Sequence, residues 1–344
     1  MKNKLVKAMA VILSVTTVAM AGAAPVFAEA GTDAATETDT TVEADAEEED
    51  EENYDTGDAS LDNIRNQDDI GENEILVLSF GTSFNDSRRL TIGAIEQALE
   101  DAFSADGWSV RRGFTANTII DHVERRDGLH IDDVDEAMQR AIANGVKNLV
   151  IQPTHLMHGN EYKELAGEVA QYADAFEKMI IAEPLLSAEE DYVKVEKAIT
   201  DATSEYDDGE TAIVFMGHGT PAEEDGSVAE SNEVYTKLQD MLYADGFDNY
   251  YIGTVEAGPA PEEIIEAFGD KAYTKVVLRP LMVVAGDHAN NDMADEEDPE
   301  SWYSVFTAAG YEVTSVVEGL GQLEDIPPIY VEHCKAAIDQ LIAE

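Results

Sequence analysis

A chain of 344 residues with 73 Asp and Glu against 21 Lys and Arg carries a formal net charge of −52. That charge excludes nucleic acid and anionic membrane surfaces as partners. Cys334 is the single cysteine, so there is neither an internal disulfide nor a thiolate metal cluster.

Residues 1–28 read as a secretory signal. Lys2, Lys4 and Lys7 precede an apolar stretch from Ala8 to Ala24, and Val26-Phe27-Ala28 offers small residues for cleavage after Ala28. The apolar stretch falls short of the ~20 residues a spanning helix needs. The mature chain is therefore expected outside the cytoplasm, extracellular or in the cell envelope. Residues 29–72 hold 18 acidic residues against Arg65 alone, which predicts a disordered, solvated spacer.

From residue 73 the pattern changes. Ile75–Phe80 reads as a strand, followed by a helix with Ile92, Ile95, Leu99 and Phe103 on one face and Asp86 or Ser87 available as its cap. Further strands are expected at Ser109–Phe114, Asn148–Gln152, Met179–Ala182, Ala212–Met216, Tyr250–Val255, Lys275–Leu278 and Glu312–Val317. Alternation of strand and helix predicts an α/β fold of parallel sheets covered by helices.

The unit occurs twice. ILVLSFGTS at 75–83 matches AIVFMGHGT at 212–220, and NLVIQPTHLMHGNEY at 148–162 matches KVVLRPLMVVAGDHA at 275–289. Aligning Pro153 with Pro280 sets Glu161 opposite His288, and VRRGFTA is matched with IGTVEAG, where Glu256 is expected to face Thr115. Two similar domains, 73–205 and 206–344, are expected to aim their strand ends at a shared cleft. The apolar run Val276–Ala285 reads as a buried strand stopped by Gly286, which puts Asp287 and His288 at its carboxyl end, where open α/β sheets bind ligands.

The cleft collects His218, Glu256 and His288 from the second half, with Glu161 and His155 from the first. Two imidazoles and a carboxylate suit Fe, Co, Ni or Zn and leave coordination positions open. The same groups could relay protons, and a lone strand-end histidine is more often a surface or hydrogen-bonded core residue than a ligand, whereas three strand ends of one half carrying His, Glu and His point to a site. No GxxxxGK[ST], GxSxG or HExxH occurs. MGHGT is like the His-Gly turn of histidine phosphatases, but Gly217 stands where their arginine precedes the histidine.

LVLSFGTSF, FTANTII, RRDG, QPTHLMHGNEY, FMGHGT, TVEA, PLMVVAGDHANNDM and GLG, in that order, resemble the anaerobic sirohydrochlorin cobaltochelatases, class II chelatases of the ferrochelatase-like superfamily. The resemblance implies two ferrochelatase-like domains with a tetrapyrrole between them. It implies His218, Glu256 and His288 as the metal site, His218, His288 and Glu161 as the catalytic groups, and insertion of Co2+, or Fe2+ or Ni2+, without a nucleotide. Arg88, Arg89 and Arg111, with Ser83 and His155, are the expected contacts to the tetrapyrrole, because arginine forks suit carboxylates. Further copies of the chain are expected partners. Asn160 departs from the acid usual before this glutamate, and the exported acidic amino terminus departs from the cytoplasmic members. That second departure keeps an alternative open: an exported tetrapyrrole or metal carrier serving haem or cobalt uptake through a membrane transporter.

Overall fold

The computed structural model describes residues 56–222 and 229–343. The expected signal and most of the acidic segment lie outside the described residues. Eight strands form where the sequence pattern places them: β1 (Asn73–Ser79), β2 (Trp108–Phe114), β3 (Asn148–Pro153), β4 (Lys178–Ile181), β5 (Thr211–Gly217), β6 (Tyr250–Thr254), β7 (Lys275–Pro280) and β8 (Glu312–Ser315). They build two parallel four-stranded sheets of the same topology, β2-β1-β3-β4 and β6-β5-β7-β8. The central strands β1 and β5 are continuous apolar runs because helices cover both faces, and Ile75–Leu78 and Ala212–Met216 are fully buried. On edge strand β8 only alternate residues are shielded.

The register defines the duplication residue by residue. Leu78 pairs with Pro153 as Met216 pairs with Pro280. Counting on from those pairs, Phe80 stands at the place of His218, and Glu161 at that of His288. The Ala116 N–H reaches the Phe80 carbonyl as the Glu256 N–H reaches that of His218, so Ala116, not Thr115, is the counterpart of Glu256. The chemistry is therefore one-sided: where the second half has His218 and Glu256, the first has a phenyl ring and a methyl group.

Three expectations need correction. The strand in the apolar run from Val276 ends at Pro280, and residues 281–285 turn across the sheet end instead. The run is apolar because Gly319-Leu320-Gly321 covers it: the Leu320 and Gly321 N–H groups donate to Met282 and Val283 carbonyls. The boundary at 205/206 separates the strands but not the helices. Helix Glu189–Thr203 packs in the second half, where Thr203 Oγ1 lies 3.0 Å from the Tyr250 hydroxyl, while helix Pro327–Ala343 packs on β3 and β4 of the first. Tyr330 of that last helix donates to the Thr154 carbonyl at 2.9 Å. Each half thus lends a helix to the other.

The third correction concerns residues 56–72, which are a fitted strap and not a spacer. β2 is an edge strand, and the strap satisfies its outer backbone groups: the Arg112 N–H donates to the Arg65 carbonyl and Gln67 Nε2 to the Val110 carbonyl. Asp62 accepts from Arg88 Nε at 2.6 Å and Arg112 Nη1 at 2.7 Å, and Arg65 pairs with Glu100 at 2.9 Å. The acidic composition that signals disorder hides one aspartate with two buried partners.

Candidate metal centre between the two halves

His218 follows β5 directly, and His288 opens the turn after the crossing segment 281–285. Their ring centroids lie 4.8 Å apart with planes inclined at 66°. His218 Nδ1 donates to the Gly219 carbonyl at 2.7 Å, an acceptor that fixes the tautomer, so the lone pair is on Nε2. His288 Nδ1 is 2.6 Å from Asp292 Oδ2, which frees its Nε2 in the same way. A second partner on Nδ1 orients a metal-binding imidazole and raises its basicity. Gly219 is needed in the left-handed region, φ 84°, to make the turn after His218, and its N–H donates to the Tyr235 hydroxyl at 3.2 Å.

The residues after His288 explain the GDHANND run. Ala289–Met293 is a single π-helical turn, a feature frequent at functional sites. Asn290 Nδ2 donates to the Gly286 carbonyl at 2.8 Å, and Asn291 donates to the Asp287 carboxylate. The asparagines hold the turn, while Asp287, His288 and Asp292 each offer a ligand atom within 4.8 Å of the others. Burial alone would lower the pKa of His288; the hydrogen bond and charge of Asp292, helped by Asp287 and Glu256, outweigh it and hold the pKa above the ordinary value. Asp292 was not among the expected site residues, although its i+4 spacing from His288 was visible.

The rings open onto a cavity of about 320 Å3, within the ~300–1,000 Å3 typical of small-molecule sites. Its walls come from both halves, joined by equivalent contacts. A Cβ on Gly286 would meet Thr82 Oγ1 at 3.1 Å, and one on Gly159 would meet Thr220 Oγ1 at 3.7 Å. The first half contributes Phe80, Ile119, Leu156 and Met157, with Ser83, His155 and Glu161; the second contributes Met282, Val283 and Val284 with the two histidines. Glu161 is exposed, at the start of helix Asn160–Ala170. Glu256 is exposed and outside the cavity lining, but close enough to act on His288.

The arginines are elsewhere. Arg111 is fully buried, bonded to Glu74 at 2.8 Å and to the Ala137 carbonyl at 2.7 Å. Arg88 is equally buried between Asp62, Asn85 and the Thr82 carbonyl. Arg89 pairs with Asp86 at 2.9 Å, away from the cavity. The structure does not bring these three to the cavity as expected: Arg88 and Arg111 balance acids within the core of the first half, and Arg89 pairs with Asp86 at its surface. Among the described residues, no Lys or Arg lines the cavity.

Paired imidazoles with free Nε2 atoms, beside a largely apolar cavity between duplicated α/β halves, form a donor set suited to a divalent metal. The family model described as Cobalt chelatase (CbiK) matches residues 73–339, and the chain belongs to that family. The sirohydrochlorin cobaltochelatase of Salmonella typhimurium is 36% identical over 270 residues, covering 78% of this chain and 98% of that protein. The sirohydrochlorin cobaltochelatase CbiKC of Nitratidesulfovibrio vulgaris is 28% identical over 289 residues, 82% of this chain and 97% of that one. Among solved structures, SirB from Bacillus subtilis with Fe3+ superposes with a TM-score of 0.53 at 13% identity, covering 78% of this chain and 97% of that one, a likeness of fold.

Proposed function

We propose that this chain is a chelatase that inserts Co2+ into a tetrapyrrole of the sirohydrochlorin type. The observation that carries the reading is the His218–His288 pair, with rings 4.8 Å apart and both Nδ1 atoms engaged, at the edge of a largely apolar cavity between the two halves. The activity of its relatives, which this chain matches over nearly their whole length, supports the same conclusion.

Insertion must strip water from the metal and remove two protons from pyrrole nitrogens. The Nε2 lone pairs of His218 and His288 replace water ligands on one face of the macrocycle, and Glu256, at the rim, supplies a carboxylate during metal entry. Glu161, exposed on the opposite wall, accepts the two pyrrole protons in turn and passes each to solvent. Phe80, Leu156 and Met157 seat the other face of the ring. The same donor set accommodates Fe2+ or Ni2+, so metal identity is decided by supply as well as by ligands.

The leader-like residues 1–28 support export, with the two halves, 73–205 and 206–344, forming one catalytic body. The test is spectroscopic. With metal-free sirohydrochlorin and Co2+ in excess over the protein, the absorption change of insertion should run through many turnovers. A plateau at one equivalent would instead identify a carrier.

A further inference from the structure

With Arg88, Arg89 and Arg111 occupied elsewhere, the cavity has a binding problem: a macrocycle bearing carboxylate side chains meets no fixed cation among the described residues. His155 bears on it. It follows β3, lines the cavity, is only 9% exposed, and neither ring nitrogen has a hydrogen-bond partner among the described residues. Buried polar side chains are nearly always paired, so a doubly unpaired imidazole on a cavity wall points to a ligand.

We propose that His155 receives one carboxyl side chain of the tetrapyrrole and that this group and the imidazole take up about one proton together on binding. The proposal rests on the chelatase reading and deepens it, making His155 a specificity-determining contact for acid-bearing macrocycles.

The surroundings of His155 favour this assignment. Tyr162 presents an edge 6.4 Å from its ring, and His158, beyond Tyr162, is held by Glu183 at 2.8 Å. From the last helix, Tyr330 directs its hydroxyl at the main-chain carbonyls of Thr154 and His155. Leu185 donates its N–H to the His155 carbonyl at 3.0 Å. Glu161 shares the cavity wall. None of these places a full charge against the imidazole, and burial holds its pKa down to about 4, so it is neutral in the free protein near pH 7. A carboxylate docked there would be an uncompensated buried charge. A proton from solvent removes that cost: if it rests on the imidazole, N–H donates to the carboxylate as an ion pair, and if it rests on the carboxyl, O–H donates to the ring nitrogen. Either way one proton is bound and one hydrogen bond forms.

The sign of the linkage follows. The complex binds one more proton than its components, so affinity rises as pH falls, up to about tenfold per unit while free His155 stays neutral and the complex stays protonated. The experiment is calorimetric titration of the full chain with metal-free sirohydrochlorin, and with its methyl ester, in two buffers of different ionisation enthalpy at pH 7. The parent should take up about one proton more with the acid than with the ester. His155→Gln, which keeps a donor and an acceptor but cannot be protonated in this range, should bind the acid without that extra proton and lose the pH dependence of affinity. Equal uptake for acid and ester in the parent would overturn the proposal even without the variant, as would a His155→Gln chain that takes up the same extra proton. Failure of the parent to bind either compound would instead sink the chelatase reading.

Discussion

His218 and His288 each commit Nδ1 to a protein acceptor, and the two acceptors differ in a way that matters for pH. A carbonyl serves His218, whereas His288 is held by a carboxylate that keeps its pKa above the ordinary 6.5. Metal binding requires the proton off. Co2+ affinity should therefore fall as pH drops through a midpoint above 6.5, read by cobalt absorbance across pH 6 to 8.5. Asp292→Asn should move that midpoint down and, because it leaves a less basic ligand, weaken binding at pH 8.5 by about 10–100-fold. An unmoved midpoint would show that Asp292 has no hold on the metal centre. His218→Ala and His288→Ala should each abolish insertion while leaving the thermal midpoint within a few degrees, since both rings are part-exposed at turns. Loss of folding in either variant would make them structural. These histidines were legible in the sequence because a Gly-flanked histidine at the end of an apolar run has a place in any α/β sheet. Asp292 was not, since its role depends on a π-helical turn that residue types alone do not announce. Arg88 and Arg111 were misread for a related reason: Glu74 and Asp62, which neutralise them, are 37 and 26 residues away, and only the folded strap and strands bring them in.

At the scale of elements, the eight strands were readable because each is a short apolar run bounded by turn residues. The strap was not, since a composition argument averages over 44 residues, whereas a few of them, Asp62 foremost with Arg65 and Gln67, fix it to β2. Its carboxyl is buried, which taken alone would raise its pKa, but Arg112 and Arg88 more than offset this and hold it below the usual carboxylate range. A lowered folded-state value means the stabilisation is complete above the ordinary carboxylate pKa and is lost as pH falls through the folded one. At neutral pH, Asp62→Asn should cost about 3–5 kcal/mol, the range for removing one partner of a buried ion pair, because two guanidinium groups lose a charge at once. Chain truncation gives an independent check. A protein starting at residue 56 should melt close to the full-length chain, whereas one starting at residue 73, where the family match begins, should melt well below it. Equal melting of the two truncated chains would return the strap to a spacer.

For the molecule as a whole, duplication supplied the frame, and divergence between the halves supplied the chemistry. Phe80 and Ala116 occupy the places of His218 and Glu256, so metal-ligating side chains stand on one side of the cleft and apolar ones on the other. That division sits inside a strongly anionic body, and the two substrates carry opposite charge. The field of a protein at −52 attracts Co2+ and repels an acid-bearing tetrapyrrole, and salt screens both effects over a Debye length of ~8 Å at physiological strength. Raising ionic strength from 20 to 200 mM with an inert salt should therefore slow Co2+ association and speed tetrapyrrole association, in stopped-flow experiments following each alone. The two rates should move in opposite directions by severalfold, while the tetrapyrrole dissociation rate, governed by contacts inside the cavity, should change little. Parallel movement of both association rates would mean that local groups at the cavity mouth, and not the net charge, control entry.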